Sequence, residues 1–214
     1  MTRTLLVTLS LLLWGAAAQA AIIGAGDITP TFNDTDADII SINRAHSLSL
    51  AAGSYQATAF NYQFLYAAPL TPGLGGTVQP LLTTFDGSNY KVIALGSTIP
   101  YSGDTGFLST PFGGSSTFTL NSTTTVYAGF FWDGTVSLNR NPIGAVAAAT
   151  GSSFLRYSGA NAPLLGNNIS GGTGSNLSRL YDFSVNVEAV PEPSTLVLAG
   201  VGTLGAIVMW RKRK

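Results

Sequence analysis

Cysteine is absent from the 214 residues, histidine occurs once, and charged residues make up only 9% of the chain. Without cysteine there is no disulfide framework, no thiolate metal site, no cysteine nucleophile and no lipid-modified N-terminal cysteine. A single imidazole, His46, leaves no His-rich zinc site. It also leaves only one base for a Ser-His-Asp triad, and no G-x-S-x-G elbow occurs. His46 falls in the alternating stretch Ala45-His46-Ser47-Leu48, which reads as a half-exposed strand position. Both glutamates, Glu188 and Glu192, lie near the C-terminus, so a glycosidase would have to draw its two carboxyl groups from Asp86, Asp104 and Asp133. Asp86 and Asp133 belong to turn sequences, where aspartate is common for backbone reasons alone. The expectation is therefore a protein that is not an enzyme.

Formal charge is zero, but the charges are segregated. Half of the basic residues stand at the ends, as Arg3, Arg211, Lys212, Arg213 and Lys214. From Ala21 to Glu188, five bases (Arg44, Lys91, Arg140, Arg156, Arg179) against nine acids leave the body near −4. That balance argues against nucleic acid as a partner. Serine and threonine together make up about a fifth of the chain and glycine numbers 25, which favours short strands and turns over long surface helices. Aromatic residues at 10% and a positive mean hydropathy argue against disorder. A chain without disulfides must rely on its core, and roughly 165 residues suffice to build one.

Residues 1–20 read as a secretory signal peptide. Arg3 supplies the positive start, Leu5 to Trp14 is an apolar run too short to span a bilayer comfortably, and Ala18-Gln19-Ala20 offers a small-x-small cleavage site between Ala20 and Ala21. A buried N-terminal helix would explain neither Arg3 nor the alanine pattern.

The other end is more specific. Pro191-Glu192-Pro193 precedes Leu196 to Trp210, a run of fifteen uncharged residues, and Arg211-Lys212-Arg213-Lys214 closes the sequence. As a helix that run is about 22 Å long, short of a hydrocarbon core of about 30 Å, with Trp210 and snorkelling basic side chains extending its reach. The basic cluster should stay cytoplasmic, which places the body outside. Pro193 disfavours helical geometry at Glu192 and sets the helix boundary. This tripartite end resembles the PEP-CTERM sorting signal of Gram-negative bacteria, a resemblance confined to residues 190–214. It implies passage through the export machinery, a membrane-anchored precursor, and recognition by an exosortase, an integral-membrane enzyme that acts near the PEP motif. It also implies a final place at the cell surface or in the extracellular matrix of exopolysaccharide-producing, biofilm-forming cells. An ordinary tail anchor would need no PEP motif. Gly200-Val201-Gly202-Thr203-Leu204-Gly205 spells the dinucleotide fingerprint G-x-G-x-x-G, but it lies inside the apolar run without a βαβ unit around it. Close helix packing in the membrane explains those glycines better.

Between these ends (residues 21–188, with 189–214 the sorting segment), alternation of period two recurs. It marks Gln56 to Tyr66, Val78 to Phe85, Tyr90 to Leu95, Thr117 to Leu120, Val126 to Trp132, Thr135 to Leu138 and Tyr181 to Glu188. Shorter candidates are Asp38 to Ile42, His46 to Leu50 and Phe154 to Tyr157. Asp86-Gly87-Ser88-Asn89 predicts a hairpin turn, and Asn121-Ser122-Thr123-Thr124 predicts a second. Ala145 to Ala149 reads as a single helical turn, and Gly159 to Ser178 as one long loop. The pattern predicts an all-β antiparallel sandwich of jelly-roll type, with a single C-terminal transmembrane helix outside it.

Two binding constellations arise within this body. Asp34, Asp36 and Asp38 alternate along an acidic stretch and could offer hard oxygens to Ca²⁺, although an EF-hand is not supported. A solvated acidic loop is the other reading, and no further cofactor is expected. Tyr127, Phe131, Trp132 and Asp133 could form a sugar-stacking platform, as could Tyr55, Tyr62 and Tyr66. Phe130 and Trp132, however, share parity with Val126, which favours core packing for them. Asn121-Ser122-Thr123, Asn168-Ile169-Ser170 and Asn176-Leu177-Ser178 match the N-glycosylation pattern incidentally. The leading expectation is a non-enzymatic envelope or matrix protein associated with exopolysaccharide. A carbohydrate-binding module, with or without Ca²⁺, is the alternative, and a secreted hydrolase the second alternative.

Overall fold

The computed structural model describes residues 20–25, 39–64, 76–100, 106–133, 143, 145–147, 154–177 and 179–191. In chain order the strands are β1 (Ala21–Ala25), β2 (Ile39–Asn43), β3 (Leu48–Leu50), β4 (Gly53–Phe64) and β5 (Thr77–Phe85). There follow β6 (Tyr90–Leu95), β7 (Ile99–Pro100), β8 (Gly106–Pro111), β9 (Thr117–Leu120) and β10 (Thr124–Asp133). The last five are β11 (Ala145–Ala147), β12 (Phe154–Ala160), β13 (Gly171–Leu177), β14 (Arg179–Tyr181) and β15 (Phe183–Ala189). Among the described residues there is no helix, and all pairings between strands are antiparallel.

Two sheets carry most of the described residues. The first has the order β1-β15-β4-β8, with β9 pairing the first part of β4. The second has the order β13-β12-β2-β10-β5-β6, with β3 on β10 and β7 on β5. Strand alternation gives each sheet an apolar face, and the two faces share one core. From the first sheet come Ile23, Phe60, Tyr62, Phe64, Phe183, Val185 and Val187; from the second come Ile39, Val78, Leu82, Val126, Ala128, Phe130, Trp132 and Phe154. Phe60, Tyr62 and Phe64 do lie on one face of β4, with ring centroids 5.0 and 4.8 Å apart in succession. Tyr181, Phe183, Val185 and Val187 are all buried, as expected, but the alternation is incomplete because Asp182 and Ser184 between them are buried too.

The Asp86 turn forms as read. The Oδ1 atom of Asp86 accepts hydrogen bonds from the backbone N–H groups of Ser88 (2.8 Å) and Asn89 (2.7 Å), and Gly87 supplies the positive φ of 99°. Four other expectations are corrected. The Asn121 turn is not a hairpin: β9 pairs β4 while β10 joins the second sheet, so the chain crosses between sheets there. Ala145–Ala147 is strand rather than helical turn, because it pairs β14. Residues 171–177, read as loop, form β13 along β12. His46 is exposed and sits in a turn before β3 rather than on a strand. Its N–H donates to Asn43 Oδ1 (3.3 Å), while its carbonyl accepts from the N–H of Gly24 (2.9 Å) and so ties this turn to β1. The expected strand Thr135 to Leu138 lies outside the described residues.

The far face of the second sheet is also apolar. Ile40, Ile42, Leu81, Tyr90, Val92, Phe131 and Ala160 form a second buried cluster, with Leu95, Tyr127, Leu155, Tyr157 and Ile169 packed against it. Residues 161–170, which join β12 to β13 near one edge of this sheet, reach across to β6 at the other edge. The N–H of Val92 donates to the Asn167 carbonyl (2.9 Å), that of Gly166 to Val92 (2.9 Å) and that of Ile169 to Tyr90 (2.8 Å). A strap thus closes over the cluster and supplies Ile169 to it.

Burial pushes the Tyr90 phenol above its usual range, partly opposed by the Arg44 guanidinium, and Tyr157 is raised for the same reasons. A phenol whose folded pKa exceeds its unfolded one, about 10, favours the folded state below that pH. The contribution is lost as pH rises through the folded value. We therefore expect the denaturation midpoint to fall above about pH 10, and Tyr90→Phe with Tyr157→Phe to flatten that fall. An identical alkaline slope in the double variant would show that these two phenols do not couple to folding.

Candidate functional site: the open face of the first sheet

The outer face of the first sheet is built differently from that of the second. Cross-strand register places Ser184 on β15, Asn61 on β4 and Ser109 on β8 in one row. The next row holds Ile22, Asn186, Ala59 and Pro111, and on the other side Gln63 stands opposite Phe107. None of these positions carries a charge, but acidic residues border them: Asp182, buried like Ser184, accepts the N–H of Gln63 at its carbonyl (3.1 Å), and Glu188 is exposed two residues beyond Asn186. Asn61 organises the patch: its Nδ2 donates to Ser184 Oγ (3.3 Å) and Asn186 Oδ1 (3.0 Å), while its Oδ1 accepts from Ser109 Oγ (2.7 Å). Every polar atom of the Asn61 side chain is thereby used, and the groups around it are held in place. Two large apolar side chains stand out from this face at opposite corners, Phe107 at 55% exposure on β8 and Ile22 at 61% on β1. The sequence does not disclose this patch, because Gly106–Pro111 is too short and too mixed to read as a strand.

The residues singled out from sequence are distributed otherwise. Trp132 is only 5% exposed and belongs to the core shared by the sheets, so the platform reading is corrected for it. Tyr127 points to the opposite side of β10, where its ring meets Tyr90 edge-on at 5.4 Å, and Phe131 is buried in that same second cluster. Asp133, half-buried, ends β10. Strand parity therefore separates Tyr127 from Trp132 and prevents a joint platform. Of the second set, Tyr62 is buried and Tyr55 stacks on Phe118 at 5.6 Å; Tyr66 lies outside the described residues. Asp34, Asp36, Asp38 and Asp104 also lie outside them. Among the described residues no group of three His, Cys, Asp or Glu side chains could hold a metal ion. Asp86 is held below the usual carboxylate range by the N–H groups of Asn89 and Ser88. That is the reverse of what a general acid requires.

The two ends of the body meet beside this face. β1 begins at Ala21 opposite Val187 of β15, next to the expected cleavage site at Ala20. β15 runs to Ala189, and the N–H of Val190 still donates to the Ser54 carbonyl (2.8 Å). Pro191, the first residue of the PEP motif, is exposed immediately beyond. Glu192, Pro193, the apolar run 196–210 and the basic residues 211–214 lie outside the described residues. Among the described residues no helix is long and apolar enough to cross a membrane.

An antiparallel all-β body followed directly by a C-terminal sorting segment is the class these features define. Residues 189–214 match the family model of the PEP-CTERM protein-sorting motif. The match begins at the last residue of β15, so folded body and sorting segment abut. The motif implies an exported, membrane-anchored precursor that an exosortase processes. No curated protein matches the chain.

Proposed function

We propose that this is a non-enzymatic protein of the cell envelope or extracellular matrix, sorted by an exosortase and associated with exopolysaccharide. The observation that carries the reading is the sorting motif at residues 189–214, set directly against a β-rich body. The body supports it with a sheet face on which serine, asparagine and glutamine side chains stand beside an exposed ring. Replacing Pro191 and Glu192 together with alanine should leave the protein unprocessed in the membrane fraction of a cell that carries the exosortase. Its mass would then stay that of the anchored form, and release to the surface or medium would be lost. Unchanged mass, location and release in this variant would show that the PEP motif is not read.

A further inference from the structure

We infer that the open face of the first sheet is a binding strip for an uncharged polysaccharide, with Phe107 as its stacking ring and Asn186, Ser109 and Gln63 as its polar contacts. This rests on the matrix reading above and assigns it a surface. Three observations lead there. First, Phe107 is a large ring left 55% exposed on β8, directly opposite Gln63. A ring so placed offers the apolar side of a pyranose a face to cover while its hydroxyls turn toward neighbouring polar groups.

Second, those neighbours are already oriented. Ser109 spends its proton on Asn61 Oδ1, so its oxygen faces outward as an acceptor. Asn186 accepts from Asn61 at Oδ1, which turns its own NH₂ away as a donor. These two groups flank Asn61 on β8 and β15, two strand spacings or roughly 10 Å apart. Fixed donors and acceptors lose little side-chain entropy when hydroxyls bind them.

Third, the charge pattern selects the occupant. Asn186, Ser109, Gln63 and Phe107 carry no charge, and the charged residues nearest them in the register, Asp182 beside Gln63 and the exposed Glu188 on the same side of β15 as Asn186, are both acidic in a body near −4. An anionic chain would meet net repulsion and no cation in the strip to pair with. A neutral glycan meets neither difficulty.

The test is affinity electrophoresis of the full chain, purified in detergent, through gels containing amylose, dextran or soluble cellulose derivatives, with alginate as the anionic comparison. Parallel sedimentation with the producing cell's own exopolysaccharide asks the broader question. Wild-type protein should be retarded by at least one neutral polymer and by alginate not at all. Phe107→Ala should weaken that binding about tenfold, the scale expected when a stacked ring is removed. Phe85→Ala, which removes another exposed ring (43%), on the Asp86 hairpin, should bind as wild type does. Both positions are exposed, so neither change should disturb folding. Equal binding by wild type and Phe107→Ala would overturn the strip while leaving matrix association in place. So would equal losses in the two variants, or retardation by alginate alone. Failure of the wild type to bind any neutral polymer or the native exopolysaccharide would overturn the matrix reading itself.

Discussion

Phe130→Ala should lower the unfolding free energy by about 3–5 kcal/mol, the range for deleting a fully buried phenylalanine. The side chain is completely inaccessible and stands where the two sheets meet. Its ring lies edge-on to Phe183 of β15 (5.1 Å, 85°) and to Tyr181 of β14 (5.7 Å, 68°). Its backbone belongs to β10, which is hydrogen-bonded to β2 on one side and β5 on the other. A strand held on both sides cannot collapse readily into the space left, so the cavity term should be nearly complete. Phe130→Leu, which retains most of the volume, should cost markedly less. Denaturant titration followed by circular dichroism reads both. A loss below about 1 kcal/mol for the alanine variant would place Phe130 outside the structural centre described here.

Gly129→Val should destabilise the protein by about 1–3 kcal/mol or more, the cost of forcing volume into a packed site. A β-carbon at Gly129 would fall 2.7 Å from the Ser41 carbonyl oxygen and 3.0 Å from Leu81 Cδ1. The first of these is backbone of the neighbouring strand β2, which cannot rotate away. Leu81 and Ile42 both belong to the second buried cluster, and the missing side chain at Gly129 lets them close over β10. Melting temperature is the direct measure, and a variant melting within a degree or two of wild type would show that the strands can separate there at little cost. Gly87→Ala, at a turn position with open space around it, tests a different term, because only its positive φ opposes the change.

These two neighbouring residues also show what sequence can and cannot disclose. Phe130 was legible: its parity with Val126 and Trp132 marked it for the core, and the same period-two pattern located β4, β5, β6 and β15 to within a few residues. Gly129 shows only that some backbone approaches closely, without saying which. The glycine-rich β13 was illegible for a related reason. Its sequence Gly171 to Leu177 has no apolar alternation, since it attaches to β12 through backbone pairing, and the bare Gly174 gives the Tyr157 ring a surface to lie on. The Asn121 turn was legible as a turn but not as a crossing, because turn residues report local geometry and say nothing about the sheet that the next strand joins.

The candidate site was less legible than the fold. The sorting motif is a contiguous string and could be read directly. The polar strip exists only through register, which brings residues 61, 109, 184 and 186 side by side from three strands. Trp132 is a rare, large aromatic whose strand parity already points inward. Phe107, the ring that does face outward, lies in a short segment bounded by glycine and proline that offers no period to recognise.

The chain leaves the body from an interior strand, and this bears on how the protein carries a mechanical load. β15 lies between β1 and β4, and both neighbours grip it along its length. Tension applied beyond Pro191, with the resisting force on β8 or elsewhere on the open face, is directed along the axis of β15. Its hydrogen bonds are then sheared together rather than peeled one after another from an edge. A tether rooted in this way transmits pull from a surrounding network into the middle of the sheet, where yielding requires many bonds to fail at once. β1, at the edge and joined to the rest of its sheet only through β15, would bear that same tension on one side alone.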